Sequence, residues 1–172
     1  MTKIKGIRCQ VLTSPDEDSG TDGDIYLGIC GREFHLDSSS DDFERNSWRE
    51  YILGAPPAGT GGPSSIEAQV RDKDMNDPRI GLPLDTSNLG RSPVYIRFEP
   101  QTPDGDHWKL YFAAALVYDT KFVTGYTPPE GFDQLWLGHK AGKIVYLTEE
   151  HATGGEAKLL ASVHKVAARM RK

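Results

Sequence analysis

Two short acidic segments in the first third of the chain contain the residue types that ligate a hard cation. Residues 20–26 read Gly-Thr-Asp-Gly-Asp-Ile-Tyr, and residues 36–45 read Leu-Asp-Ser-Ser-Ser-Asp-Asp-Phe-Glu-Arg. Calcium takes about six to eight oxygen ligands at about 2.3–2.6 Å, drawn from carboxylates and from loop carbonyls. If the strands leaving these segments are neighbours, both loops meet at one end of the sheet. The candidate metal ligands are then the carbonyls of Gly20 and Thr21 and the carboxylates of Asp37, Asp41 or Asp42, and Glu44.

The distribution of charge supports a cation in this part of the chain. Ten acids and a single base, Arg32, lie between positions 16 and 44. Carboxylates that are crowded together repel one another, and a bound cation relieves that repulsion. The alternative, that these acidic loops are simply solvated, stays open at this point. The acids are Asp16, Glu17, Asp18, Asp22, Asp24, Glu33, Asp37, Asp41, Asp42 and Glu44, and Asp22 is a further candidate ligand.

A second acidic stretch, residues 72–77, resembles the start of an EF-hand calcium loop. Asp77 stands where an EF-hand requires glycine, and Pro83 stands where it requires the terminal glutamate, so an EF-hand is excluded. The carboxylates of this stretch either add ligands to the first site, hold a second ion or are solvated. These further candidates are Asp72, Asp74 and Asp77.

The elements that must position these loops are predicted to be short β-strands. Apolar and polar residues alternate at residues 7–12, 25–30 and 94–98, and shorter runs follow at 32–36 and 48–53. The phase of residues 108–118 slips between Leu110 and Ala113, which predicts a β-bulge. Residues 134–137 and 143–147 flank a glycine-containing loop and predict a hairpin. Seven or eight strands at this spacing indicate an all-β sandwich.

The chain divides into a sandwich over residues 1–148, with a long loop insertion at about 54–88, and a C-terminal segment over residues 149–172. Apolar residues of the C-terminal segment recur at helical spacing and bases occupy much of the remainder, which predicts a basic amphipathic helix. Such a helix either packs on the sandwich or docks on an anionic membrane or a partner. The five bases between positions 157 and 172, where no acid occurs, are Lys158, Lys165, Arg169, Arg171 and Lys172.

Composition excludes several functional classes. The net charge of −5 disfavours general binding of nucleic acid. The sequence contains no apolar stretch of membrane-spanning length, and the N-terminus lacks a secretory pattern. We therefore expect a cytoplasmic protein with reduced thiols at Cys9 and Cys30. Motifs of hydrolases, zinc proteases and phosphate-binding loops are missing, so no catalytic and no organic-cofactor residues are predicted.

The acidic segments resemble the opening of a PLAT domain (polycystin, lipoxygenase, alpha-toxin). That family reads Gly-Thr-Asp-x-Asp-Val-Tyr, then Leu-Asp, then Asp-Phe-Glu-x-Gly-Ser. This chain has Ile25 in place of valine and Asn46 in place of the second glycine. The resemblance continues with Leu-Gly at 89–90, Trp-Lys-Leu at 108–110 and Trp-Leu at 136–137. It covers roughly residues 7–147, and the insertion is longer than the connection usual in the family.

The resemblance implies an antiparallel eight-stranded β-sandwich that binds calcium through the loops at Gly20–Thr21 and residues 37–44. It implies a non-catalytic module that recognises a lipid surface or a protein partner, through the calcium loops or the C-terminal helix, with peripheral membrane association. An exposed tryptophan at the calcium end is the way in which this family enters lipid, whereas we expect Trp48 and Trp136 at the core or an edge. Two other functions stay open: a small enzyme with a calcium-organised site at the acidic loops, and a structural subunit that forms homo-oligomers through its C-terminal helix.

Overall fold

The computed structural model describes residues 2–56, 66–102 and 105–150, together with positions 161, 165, 166 and 168. The described residues form ten strands and a 3₁₀ helix at Thr86–Arg91. The strands are β1 (Gly6–Thr13), β2 (Asp24–Ile29), β3 (Arg32–His35), β4 (Trp48–Gly54), β5 (Ile66–Gln69), β6 (Val94–Glu99), β7 (Trp108–Tyr118), β8 (Val123–Thr127), β9 (Leu135–Leu137) and β10 (Ile144–Glu150).

The strands form two layers that share β10. The first layer has the order β3-β2-β6-β10, and the second has the order β10-β8-β7-β1-β4-β5. Residues 144–147 of β10 pair with β6, whereas residues 148–150 pair with β8. Strand β9 pairs with the first residues of β7. The result is a curled mixed sheet whose two halves enclose the core.

Alternation places every second side chain of the central strands in this core. Ile7, Cys9 and Val11 of β1 are buried in the same cluster as Ile25 and Leu27 of β2. The two layers also meet through aromatic rings, since the ring centroids of Phe98 in β6 and Trp108 in β7 lie 5.9 Å apart. Trp108 is fully buried, and its indole N–H donates to Thr13 Oγ1 over 3.1 Å. Both cysteines are free thiols.

The expectation of eight antiparallel strands is corrected by β5, which lies in the insertion and pairs parallel to β4. Arg49 lies opposite Ile66 in this pair, and the register continues to Ile52 opposite Gln69. The extra strand extends the edge of the second layer and buries Ala68, while Val70 directly after it is also buried. Burial of these small apolar side chains favours a strand at a place where the insertion was expected to be a loop.

The predicted hairpin of β9 and β10 is wrong. Trp108 of β7 lies opposite Leu137 of β9, whereas β10 pairs with β6 and β8. A single bridge between Gly138 and Gly142 joins the two segments. The reason is that β9 and the start of β10 belong to different layers, so their apolar side chains are buried by different neighbours.

The predicted bulge in β7 is confirmed. Leu12 of β1 lies opposite Phe112, but Thr13 lies opposite Leu110, so Tyr111 is the extra residue of β7. Both flanking parts of β7 thereby turn apolar side chains into the core.

The outer face of the second layer is buried as well. Arg8 and Glu50 form an ion pair in which both side chains are almost fully buried, and Gln10 Nε2 donates to Glu50 Oε2 over 2.5 Å. Val166 packs against a cluster on this face that contains Leu12 and Ala114.

Most of the predicted helix over residues 149–172 lies outside the described residues. Residues 149 and 150 of this segment belong to strand β10. Beyond β10 the structure describes positions 161, 165, 166 and 168, and these four are helical. In the described part of the chain, no helix is long and apolar enough to cross a bilayer.

The insertion is held against β3 by one guanidinium group. Arg32 donates hydrogen bonds to the carbonyl oxygens of Met75, Asp77 and Ile80. The side-chain oxygen of Asn76 accepts from the amide of His35 over 2.7 Å. The bond to Asn76 satisfies the His35 amide on the edge strand of the first layer, and the bonds from Arg32 satisfy carbonyls of the insertion that covers this edge.

Candidate functional site

The two acidic loops, residues 14–23 before β2 and residues 36–47 after β3, lie against each other at one end of the sandwich, which we call the acidic end. The amide of Thr21 donates to the carbonyl of Phe43 over 3.2 Å. A Cβ atom at Gly20 would lie 3.0 Å from the amide nitrogen of Arg45 and 3.2 Å from the Phe43 oxygen. Glycine at this position therefore allows the two backbones to approach closely.

Three exposed carboxylates converge where the loops meet. One oxygen from each of Asp22, Asp41 and Glu44 lies within 4.8 Å of those of the other two. Oxygens that share one calcium ion at about 2.3–2.6 Å lie at most about 5 Å apart. The donor set is all oxygen and all anionic, which is the ligand type that calcium prefers. These residues therefore fit a calcium ion.

Two other predicted ligands have partners in the protein. The carboxylate of Asp42 is buried and accepts from the amide and the hydroxyl of Ser38, each over 2.6 Å. Asp37 Oδ2 lies 3.4 Å from Arg71 Nε, and the carbonyl of Asp37 accepts from the amide of Arg71. In the structure, the role of Asp42 is to close the turn that presents Asp41.

The acids of the insertion are not part of this cluster. Asp72 and Asp74 are exposed. Asp77 forms an ion pair with Arg79, with Oδ2 and Nη2 separated by 2.5 Å. Hydrogen bonds from Arg79 hold the pKa of Asp77 below its ordinary value.

Asp106 is a structural residue of the acidic end that the sequence analysis did not single out. Its Oδ1 accepts from Thr21 Oγ1 over 2.5 Å, and its Oδ2 accepts from the amide of Gln101 over 2.8 Å. Gln101 Nε2 in turn donates to the carbonyl of Asp22 over 2.5 Å. Asp106 therefore ties the first acidic loop to the segment that leads into β7. The sequence signal that could have identified Asp106 is its position two residues before the buried Trp108.

Trp136 lies beside the acidic end and is exposed over 36% of its surface. It lines a cavity of about 490 Å³ together with Asp18, Gly20 and Asp106. On β7, the ammonium of Lys109 lies 5.5 Å from the centroid of the indole ring, a cation–π contact. Lys109 also contacts Asp16 and lowers the pKa of that carboxyl by its hydrogen bond. The tryptophan expected at the core or an edge is thus an exposed edge residue.

Two further cavities lie between the acidic loops, with volumes of about 460 and 550 Å³. Asp22 lines both of them, and Glu44 lines the larger one. In the smaller one, His35 Nε2 lies 3.0 Å from Asp24 Oδ1. All these cavities are open to solvent, so the acidic end is a polar surface rather than an enclosed pocket.

No family model and no curated protein matches this sequence. Solved structures do match the fold. The alpha toxin from Clostridium absonum aligns over 86% of this chain and 32% of its own, at 22% identity and a TM-score of 0.53. Two crystal structures of LOX deletion variants align over 86% and 93% of this chain and 17% and 19% of their own. Both are 17% identical, with TM-scores of 0.48 and 0.47.

The chain thus spans about a third of the length of the toxin that it matches. The similarity concerns the arrangement of the backbone. At so low a sequence identity, the functions of individual residues cannot be transferred from the toxin to this chain. In this fold, residues 20–26 lead into β2, residues 36–44 follow β3, and residues 108–110 begin β7. This chain has the PLAT fold.

Proposed function

We propose that the acidic end binds calcium and that, with the ion bound, it attaches the protein to a lipid surface. The observation that supports this most directly is the position of Trp136, which is exposed beside Asp18 and Gly20 of the first acidic loop. Tryptophan is enriched at the boundary between water and the bilayer, where its ring is apolar and its N–H is hydrogen-bonded.

In this proposal the carboxylates of Asp22, Asp41 and Glu44 hold the ion, and the carbonyls of Gly20 and Thr21 are further ligands. Bound calcium neutralises these carboxylates and attracts the phosphate groups of lipids. Asp42 and Asp106 hold the two loops in place through the hydrogen bonds to Ser38 and Thr21. These hydrogen bonds lie within the protein and fix the loops that carry the proposed ligands.

Two features favour a surface over a small enclosed ligand as the target. The cavities of the acidic end are open, and loop residues form most of their walls. The PLAT fold is typical of modules that bind membranes and lipids, and this fold covers most of the chain.

The experiment is co-sedimentation of the full chain with phosphatidylcholine vesicles, in calcium and in the chelator EGTA. We expect binding in calcium only. Trp136→Ala should weaken this binding by roughly tenfold, since burial of a large side chain contributes about 1.5–3 kcal/mol. Tyr146→Ala is the matched control, because Tyr146 is 58% exposed but lies on the outer face of the first layer.

Equal sedimentation in calcium and in EGTA would contradict the proposal. So would a Trp136→Ala protein that binds as the parent does. Loss of binding in both tryptophan and tyrosine variants would show that exposed aromatic surface in general, and not the acidic end, mediates attachment.

A further inference from the structure

The pole of the sandwich opposite the acidic end has a different chemistry. Strand β7 begins at the acidic end, where the amide of Lys109 donates to the carbonyl of Ser19. Its eleven residues carry the chain roughly 35 Å away, to Tyr118. There the amide of Lys5 donates to the Tyr118 oxygen, and the amide of Ile4 donates to the Leu84 oxygen. Three segments of the chain therefore lie side by side at this pole.

Two of these segments, the turn after β7 and the insertion before Leu84, each present a large apolar side chain to solvent. Phe122 is 71% exposed and Leu82 is 91% exposed. Backbone hydrogen bonds fix the turns that carry these two side chains. Asp119 Oδ1 accepts from the amide of Phe122 over 2.7 Å, and the amide of Leu84 donates to the Pro78 oxygen over 2.9 Å. The two side chains therefore project from turns that the backbone holds in place.

Three lysines lie on the segments that meet at this pole. Lys3, Lys5 and Lys121 are exposed, and the acids of the same segments are engaged. Asp85 caps the 3₁₀ helix and lies 3.9 Å from Lys3, while Asp119 accepts from the hydroxyl of Thr2. We call Lys3, Lys5, Leu82, Lys121 and Phe122 the basic pole.

We propose that the basic pole binds an anionic lipid surface and needs no calcium to do so. Its lysines complement anionic headgroups, and its two apolar side chains project from turns rather than line a groove. A projecting side chain is suited to entering the interface of a bilayer, whereas a folded partner is more often held by a pocket or a flat patch. The function is independent of the acidic end, whose carboxylates repel the same surface unless an ion is bound.

The test uses the full chain in EGTA with two kinds of vesicle, phosphatidylcholine alone and phosphatidylcholine mixed with phosphatidylserine. We expect binding to the mixed vesicles only, and weaker binding as salt is raised. Each lysine near an anionic surface contributes about fivefold in affinity. Lys5→Gln combined with Lys121→Gln should therefore weaken binding by about twenty-fivefold. Phe122→Ala combined with Leu82→Ala should weaken it without changing its dependence on salt.

The matched control is Lys140→Gln combined with Lys143→Gln, which makes the same change of charge in the turn between β9 and β10. This turn lies at the acidic end, where a Cβ atom at Gly138 would meet His107. The control should bind as the parent does. Equal losses in both double variants would show diffuse attraction and overturn the proposal, as would binding that survives both pole variants. Failure of the mixed vesicles to bind would also overturn it and would leave an acidic protein as the occupant.

Discussion

Thr21 and Phe43 belong to different loops, yet the amide of Thr21 donates a hydrogen bond to the carbonyl of Phe43 over 3.2 Å. Asp22 and Glu44 are the next residues along each loop, so this one bond brings their carboxylates together. The proximity of the acids is imposed by the backbone. Their repulsion in the absence of an ion is therefore a cost that the fold carries, and its relief can be measured.

The first prediction is that calcium raises the melting temperature. A ligand specific to the folded state, at one hundred times its dissociation constant, stabilises by about 2.7 kcal/mol. Asp41→Asn and Glu44→Gln should each remove most of this shift while slightly stabilising the calcium-free protein. Differential scanning calorimetry in calcium and in EGTA measures both effects.

Glu130→Gln is the control for these variants, because Glu130 is an exposed acid between β8 and β9. It should retain the full shift. A melting curve that millimolar calcium leaves unchanged would refute the site, and an unchanged shift in both ligand variants would refute the choice of ligands.

The second prediction separates Asp42 from its neighbour Asp41. Asp42→Ala leaves the amide and the hydroxyl of Ser38 without an acceptor, at a cost of about 1–3 kcal/mol of unfolding free energy. Urea titrations without calcium should show this loss, and titrations in calcium should show a loss at least as large, because the turn that presents Asp41 is loosened. Asp133→Ala, a change at an exposed position, should cost far less. If Asp42→Ala abolished calcium binding without destabilising the calcium-free protein, Asp42 would be a ligand.

The third prediction concerns Arg32. Arg32→Met keeps the apolar stem but removes the donors to the carbonyls of Met75, Asp77 and Ile80. We expect a loss of roughly 1–3 kcal/mol in stability and faster amide exchange over residues 72–82. Arg91→Met, at an exposed arginine, serves as the control. Unchanged exchange in Arg32→Met would mean that the insertion is held by other contacts.

The fourth prediction concerns pH. The pKa of Asp77 is lowered in the folded protein by Arg79, so the pair stabilises above the unfolded value of about 3.9 and is lost as pH falls through the lowered value. Asp77→Asn should cost about 1 kcal/mol at neutral pH, in keeping with a partly exposed pair, and progressively less below about pH 4. Urea unfolding across this range measures it. A cost for Asp77→Asn that is independent of pH would contradict the assignment.

The sequence predicted most strands because the signal for a strand is local. Alternation in residues 7–12 and 94–98 is a property of consecutive side chains, and even the bulge at Tyr111 is visible as a slip of phase. Pairing is not local. Leu135–Leu137 and Ile144–Glu150 look like a hairpin along the chain, but each finds its partners elsewhere in the sequence.

The candidate site shows the same division. The identity of the two acidic loops followed from residue types and from the resemblance to PLAT domains. Which carboxylates point toward one another did not, because Asp42 and Asp41 are adjacent and differ only in that Asp42 turns inward to Ser38. The exposed face of Trp136 likewise depends on where β9 ends relative to Lys109 of β7, which is set by long-range pairing.

Strand β10 hydrogen-bonds to β6 through residues 144–147 and to β8 through residues 148–150. Neither layer can therefore unfold without breaking the hydrogen bonds between β10 and one of its two neighbours. Such a shared strand ties the two layers into one folding unit, so thermal or urea unfolding should proceed in a single cooperative step. The acidic end and the basic pole then belong to one cooperative unit, so neither can unfold separately from the rest of the sandwich. A force applied at one end would be borne by the whole molecule.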